Sequence, residues 1–282
     1  LNRCFFVSDL HGRRERYEKL FRATMEEKPP AMFLGGDLLP SPWIEDSGDS
    51  FLLGYLGPKL RRLRTEMGDA YPTVLVIFGN DDEKQEERPL LELAEEGLIL
   101  YAHDRSHLVG DWTIVGYSYV PPTPFLLKDW EKYDVGRYVP PGCVSPEEGR
   151  RTVTVPERDL RYGTIQQDLE RLFGDEAMDR TIILFHGPPY DTKLDRADLD
   201  DISVDYAPLD VHIGSVALRR FIESRQPHIT LHGHVHESAR LTGDWRQRLG
   251  RTYLFGAAHD GLELALLRLD LDAPENSTRQ LV

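Results

Sequence analysis

The chain has 282 residues and a formal net charge of −14, with 34 Lys and Arg against 48 Asp and Glu. Gripping a nucleic-acid backbone needs clustered cations, so this balance makes nucleic acid an unexpected partner, while a small phosphorylated substrate held through metal ions stays open. No stretch reaches the roughly 18 consecutive apolar residues of a membrane helix, no leader-like segment precedes the first apolar run, and Cys4 and Cys143 are too few for a disulfide framework; a cytoplasmic protein without a membrane partner is the expectation. No Pro/Gly/Ser-rich linker divides the chain, so 1–282 reads as one domain.

The first apolar run, Cys4-Phe5-Phe6-Val7-Ser8, ends in Asp9-Leu10-His11. Short runs of this kind, rich in β-branched and aromatic residues, read as buried strands. Residues 14–27 place Tyr17, Leu20, Phe21 and Met25 at helical spacing and stop at Pro29-Pro30. A second run, Ala31-Met32-Phe33-Leu34, ends in Gly35-Gly36-Asp37, and loop 38–50, with Pro40-Ser41-Pro42-Trp43, follows as a candidate pocket wall. A helix over 51–67 precedes a third run, Thr73-Val74-Leu75-Val76-Ile77-Phe78, which ends in Gly79-Asn80; another helix covers 88–96, with Gly97 as its stop.

From 98 to 118 the pattern becomes short strands with a Gly110-Asp111 turn, read as an antiparallel continuation of the sheet. Residues 119–163 form a proline-rich insertion. A segment this long without regular structure is a candidate lid, or else a solvated insertion whose Arg150, Arg151, Arg158 and Arg161 balance Glu147, Glu148, Glu157 and Asp159. The remaining pattern gives a helix over 165–173, a strand over 181–185 ending in His186, and a helix over 215–224 with Ser215 as N-cap. A strand over 229–231 then ends in His232-Gly233-His234-Val235-His236, and strands over 252–255 and 262–271 follow. The alternation of strands and helices is that of an α/β protein.

In open α/β sheets, ligands bind at the carboxyl ends of the strands. Asp9 and His11, two apart, face one side and can reach one ion. Asp37 can offer its two oxygens to two ions, the natural bridge of a pair roughly 3.5–4 Å apart. Asn80 adds a neutral oxygen, and His186, His234 and His236 add imidazole nitrogens. A nitrogen and oxygen set without thiolate suits Mn, Fe, Zn or Ni better than Ca or Mg, so two divalent transition-metal ions are expected, Mn foremost.

Taken in order, Asp9-Leu10-His11, Gly36-Asp37, Gly79-Asn80, His186 and Gly233-His234-Val235-His236 resemble the motifs of the calcineurin-like metallophosphoesterases. The resemblance implies a four-layer α/β/β/α sandwich of two mixed sheets flanked by helices. It implies one metal on Asp9, His11, His236 and the shared Asp37, and a second on Asp37, Asn80, His186 and His234. It further implies a phosphoric ester hydrolase whose nucleophile is a metal-bridging hydroxide: a phosphodiesterase foremost, with nucleotide pyrophosphatase or phosphomonoesterase as alternatives. The block His186-Gly187-Pro188-Pro189-Tyr190 resembles the cyclic-nucleotide-phosphodiesterase-like branch.

Many members of that family read Gly-Asn-His-Asp where this chain has Gly79-Asn80-Asp81-Asp82, so the histidine that protonates the leaving oxygen is absent. With Asp37 and Asn80 as the catalytic core, the proton comes from Asp81, Asp82 or His259, or the leaving group is acidic enough to depart unaided, which favours diesters and anhydrides. Arg13 and Arg14 follow the first motif and are expected to hold a phosphate oxygen, and His212 is expected to contact substrate. His103 and His107 read as surface residues, His228 as structural, and His232 as a support behind the ligands. The competing readings are a metal-binding interaction scaffold and a closed structural zinc site, the latter disfavoured because neither cysteine lies in a motif. The oligomeric state stays open.

Overall fold

The computed structural model describes residues 2–41, 50–175 and 177–282. Two six-stranded sheets form its centre. In the first, Asn2–Val7 (β1), Ala31–Gly35 (β2), Thr73–Ile77 (β3) and Leu100–Tyr101 (β4) run parallel. In the second, Ser106–Val109 (β5) pairs antiparallel with Trp112–Tyr117 (β6), which runs parallel to Thr181–Phe185 (β7). A small separate hairpin, Ser203–Val204 (β8) and Ala207–Pro208 (β9), precedes Ile229–His232 (β10), which lies parallel to β7. Arg246–Leu249 (β11) and Thr252–Gly256 (β12) complete the second sheet, while Ala265–Asp270 (β13) and Thr278–Leu281 (β14) return antiparallel to the first beside β1.

Strict alternation decides which layer each side chain enters. On β1, Cys4 and Phe6 pack between the sheets with Phe33, Ile77, Ile182, Leu184, Leu231 and Phe255, while Phe5 and Val7 pack outward. The outward layer of the first sheet is covered by Arg14–Glu27 (α1), by Gly57–Met67 (α2) with the π-helical turn Leu52–Leu56 before it, and by Glu87–Glu95 (α3). The short Glu157–Tyr162 (α4) follows the insertion. Ile165–Leu172 (α5) and Val216–Arg225 (α6) cover Ile183 and Phe185 on the second sheet, and Ser238–Thr242 (α7) is a single turn after the last motif. The order helix, sheet, sheet, helix is the expected four-layer sandwich of mixed sheets.

Several readings are corrected. The 98–118 segment does not continue one sheet: β4 ends the first, and the chain crosses to β5 and β6 in the second. At the crossing Gly116 lies so close to Ala102 and Ile77 that any side chain there would collide with them. Met25 is 42% exposed, and Thr24 takes the buried position on α1 instead. Edge strands β11 and β14 had no apolar run to announce them, because Arg246-Gln247-Arg248 and Thr278-Arg279-Gln280 need bury little. Of loop 38–50, Pro42 and Trp43 lie outside the described residues.

The insertion over 119–163 combines buried anchors with exposed stretches such as Phe125, Leu126 and Tyr138. Trp130 is fully buried against Phe78, and the ammonium of Lys128 meets the carboxylate of Glu131 at 2.5 Å, both side chains inaccessible to solvent. Glu131 also accepts from the Thr123 amide and hydroxyl. Further on, Asp134 accepts from Ser215 Oγ and the Val216 amide, capping α6 jointly with Ser215, whose own oxygen accepts from Leu218. Of the arginines, Arg161 pairs with Glu147 and Glu157, whereas Arg150 reaches Glu83. Removing one member of a buried pair strands the other, so Lys128→Met should lower the unfolding free energy in urea by about 3 kcal/mol or more, and the added change Glu131→Leu should recover most of it.

Candidate metal centre

Beyond the ends of β1 and β2 the two segments stay paired. The amides of Asp9, His11 and Gly12 donate to the carbonyls of Gly36, Asp37 and Leu38 at 2.9, 2.8 and 2.8 Å. To keep that pairing while turning their side chains inward, Asp9, His11 and Asp37 take positive φ angles of 56°, 46° and 51°, and His234 takes 72°. Such conformations are sparsely populated for residues with a Cβ and cost of order 1–3 kcal/mol each, which marks the site as imposed by its surroundings.

The second sheet delivers the remaining groups. His186, directly after β7, donates from Nδ1 to the Gly35 carbonyl of the first sheet at 2.8 Å; because a carbonyl only accepts, Nε2 is the nitrogen left bare when the ring is neutral. That nitrogen faces Asp37 Oδ2 at 3.3 Å and Asn80 Oδ1 at 3.1 Å. After β10, the His234 amide donates to Asp9 Oδ1 at 3.0 Å, and His236 Nε2 lies 3.2 Å from the same oxygen and 3.1 Å from His11 Nε2. Ligand atoms converge in two sets, Asp9, His11, Asp37 and His236, and Asp37, His186 and His234, each within 4.8 Å. Asp37 belongs to both.

The donor chemistry fits a pair of divalent ions. Asp9 Oδ2 is buried with no hydrogen-bond partner, an orphan that an ion would satisfy. Burial pushes the Asp9 and Asp37 carboxyls up, but the His236 bond and charge hold Asp9 at about 2, and His186 holds Asp37 well below the ordinary range. Burial pulls His186 down, yet Asp37 outweighs it and lifts the imidazole to about 10; Asp9 likewise lifts His236 to about 9 against its burial. His234, desolvated and beside His186, is lowered to about 4. Two carboxylates thus demand positive charge in a dry site, which protons or cations can supply.

Asp81 stands at the rim. Its amide donates to Asp37 Oδ1 at 2.9 Å, its carboxylate accepts from Asn80 Nδ2 and lies 3.7 Å from His11 Nδ1, and burial together with the Asp37 charge raises it to about 7. The other expected proton sources are elsewhere engaged. Asp82 is fully buried and accepts from the amides of Leu38, Leu39 and Gly79, so it braces two ligand loops. His259 faces Glu263 at 3.1 Å and Asp260 at 3.7 Å. Neither joins a ligand set.

The arginines expected on phosphate are also occupied: Arg13 donates to the Gly261 carbonyl and Arg14 lies over the Tyr55 ring. His212 donates to the buried Asp195, which also accepts from the Asp191, Thr192 and Gly214 amides and so organises the loop after His186. His103 is not a surface residue: it accepts from the Ser118 amide, packs edge-on against Trp130, is held neutral by burial and by Lys84 and Lys132, and lines a cavity of about 340 Å³ with Tyr119. His107 is half-buried and donates to the Tyr101 carbonyl. His228 donates to the Leu271 carbonyl, and His232 spends both nitrogens on Gly187 and Thr230. Sequence reading missed Arg16, buried beneath Asp9, although its spacing of four from Leu20 put it on the inner face of α1.

Two mixed sheets between helices, with two candidate ligand sets meeting at one carboxylate, have the donors and the spacing that a dinuclear hydrolase centre requires. The sequence profile of the calcineurin-like phosphoesterases matches residues 3–238, and the chain belongs to that family. It is a metal-dependent phosphoester hydrolase, in a family that binds two divalent metals and acts on small phosphorylated substrates. Its structure is similar to that of TT1561 of Thermus thermophilus, at 15% identity and a TM-score of 0.56 over 100% of this chain and 99% of that one. A dimetal phosphatase from Danio rerio aligns at 12% identity and a TM-score of 0.51, over 95% and 92% of the two chains. These are likenesses of fold. No curated protein matches the sequence.

Replacing the shared carboxylate should remove both ions: metal analysis of Asp37→Asn should find well under half the wild-type content, with turnover abolished, and wild-type content would refute the bridge. Gly79→Ala would drive a methyl onto Asp37 Oδ1 and the His186 ring. It should therefore lose metal as well, which the same metal analysis on the folded variant would register.

Proposed function

We propose that the protein is a phosphodiesterase working with two divalent transition-metal ions, manganese foremost, on a small substrate whose leaving group is acidic. One ion would rest on Asp9, His11, His236 and Asp37, the other on Asp37, Asn80, His186 and His234. Ions held there supply a hydroxide nucleophile and polarise phosphoryl oxygens. The chain's own part is to hold geometry: Gly35 fixes the ligating tautomer of His186, and the Asp81 amide fixes Asp37.

The observation that carries the diesterase reading is Asp81. Two candidate ligand sets are present, but the group beside them is a carboxyl, raised to about 7 by burial and Asp37, that bound cations would hold ionised, where an imidazole would otherwise donate to the leaving oxygen. A leaving group that needs little protonation is the substrate such a site handles best. Nucleotide anhydrides share that property and form the second reading, and the cyclic-nucleotide-like loop after His186 makes cyclic phosphodiesters a natural part of the substrate panel. Cys4 and Cys143, not joined in a disulfide, are consistent with a reducing, cytoplasmic setting. Since both sheets contribute ligands to one centre, the reading also takes 1–282 as one domain.

With manganese added, bis(p-nitrophenyl) phosphate should be hydrolysed at least about tenfold more efficiently than p-nitrophenyl phosphate, compared as kcat/KM. A preference for the monoester would overturn the diesterase reading, and faster cleavage of a nucleoside diphosphate than of either would favour the anhydride.

A further inference from the structure

Arg16 is 3% exposed, on the first turn of α1, and its guanidinium touches no carboxylate among the described residues. Its contacts are to carbonyl oxygens. Nη1 donates to the Asp9 carbonyl at 2.6 Å, and Nη2 donates to Gly261 at 2.6 Å and, more weakly, to His259 at 3.5 Å. Nε is buried without a partner, so this cation has been placed in the interior with one donor left over. Burying a charge that way is costly unless the bonds it does make matter.

The Asp9 carbonyl is where they matter. Asp9 holds a φ of 56°, and the same peptide must orient a carboxylate whose Oδ1 takes the His234 amide and whose Oδ2 is free for an ion. The Asp9 amide is fixed by Gly36, which pins one side of the residue. The other side, the carbonyl, is turned out of the β1/β2 ladder and would be a buried unpaired acceptor without Arg16. A guanidinium suits this place because it offers several donors in a planar fork and no acceptor, so it can join carbonyls from two separate segments. Here it ties the loop after β1 to the loop after β12.

We infer that Arg16 is a positioning residue for the Asp9 metal set: by holding the Asp9 carbonyl it sets the direction of the Asp9 carboxylate and so the affinity of the ion shared by Asp9, His11, His236 and Asp37. Among the described residues, Asn80, His186 and His234, which would hold the other ion with Asp37, make no hydrogen bond to Arg16. This rests on the two-metal reading of the site, and it assigns the two ions unequal dependence on one buried side chain.

Titration of metal-free protein with Mn²⁺, followed by calorimetry and by electron paramagnetic resonance of the coupled pair, tests it without reference to turnover. Wild type should bind two ions. Arg16→Met should keep one and bind the other about tenfold or more weakly, with loss of the coupled-pair signal, as expected when the support behind a metal ligand is removed. Arg16→Lys, which can reach fewer of the three carbonyls, should fall between, and it carries the test if Arg16→Met does not fold. Arg279→Met removes a different tie to the same C-terminal loop, at the Ala258 carbonyl, and should bind both ions as wild type does. Wild-type affinity for both ions in the Arg16 variants would overturn the inference, as would an equal loss in Arg279→Met. Failure of the wild type itself to bind a pair would instead overturn the metal reading.

Discussion

The site depends on a sheet ladder that does not stop where the strands do. Three amide-to-carbonyl bonds carry the β1/β2 pairing through Gly12 and Leu38, and along that extension three non-glycine residues, Asp9, His11 and Asp37, adopt left-handed backbone. Asp9 and His11, two apart, would share a face on a continuing extended strand as well. The left-handed turns reshape that extension, and in it the ligand atoms of Asp9, His11 and Asp37 meet within 4.8 Å. The energy that holds three unfavourable conformations comes from the sheet beneath them, whose core positions on β1 and β2 are inaccessible to solvent.

The second requirement is the spacing between sheets. Asp37 comes from one and His186 from the other, and the two are joined by the bond from His186 Nδ1 to Gly35. That distance is set by the apolar layer of Phe6, Phe33, Ile77, Leu184 and Leu231, and it closes further only where glycine permits. A methyl at Gly36 or Gly79 would enter the His186 ring, and one at Gly233 would strike Ser8 and Asp9. The glycines of the motifs therefore do a steric task distinct from ligation: they let the loops of two sheets approach until their side chains share ions.

Much of this was legible because period-two apolar runs and the residues that end them are local signals. The runs before Asp9, Asp37, Asn80 and His186 became β1, β2, β3 and β7, and the ligand-type side chains Asp9, His11, Asp37, His186, His234 and His236 converge beyond the strand ends. What failed was non-local. Nothing in Arg13-Arg14 says that their guanidinium groups turn to Gly261 and Tyr55, nor in Gly79-Asn80-Asp81-Asp82 that adjacent aspartates diverge, one to the rim and one to brace Leu38 and Leu39. His103 looked exposed because it sits in a polar stretch, yet the sheet crossing and Trp130 of a distant insertion enclose it. Polar edge strands and the buried Lys128–Glu131 pair were invisible for a related reason: what they pack against lies elsewhere along the chain.

The neighbouring aspartates also separate two duties that one segment serves. The Asp81 amide bonds to Asp37 Oδ1 and the Asp82 carboxylate accepts from the amides of Gly79, Leu38 and Leu39, so the backbone and the second aspartate keep the bridge in place whatever side chain stands at 81. An imidazole or a carboxylate at that position meets the same frame. The bridging carboxylate is thereby insulated from the identity of the group at the rim. On the diesterase reading, Asp81 sets which esters the site cleaves, and its carboxylate also orients Asn80 by accepting from Nδ2 at 2.9 Å, so a change there reaches one ligand but not the bridge.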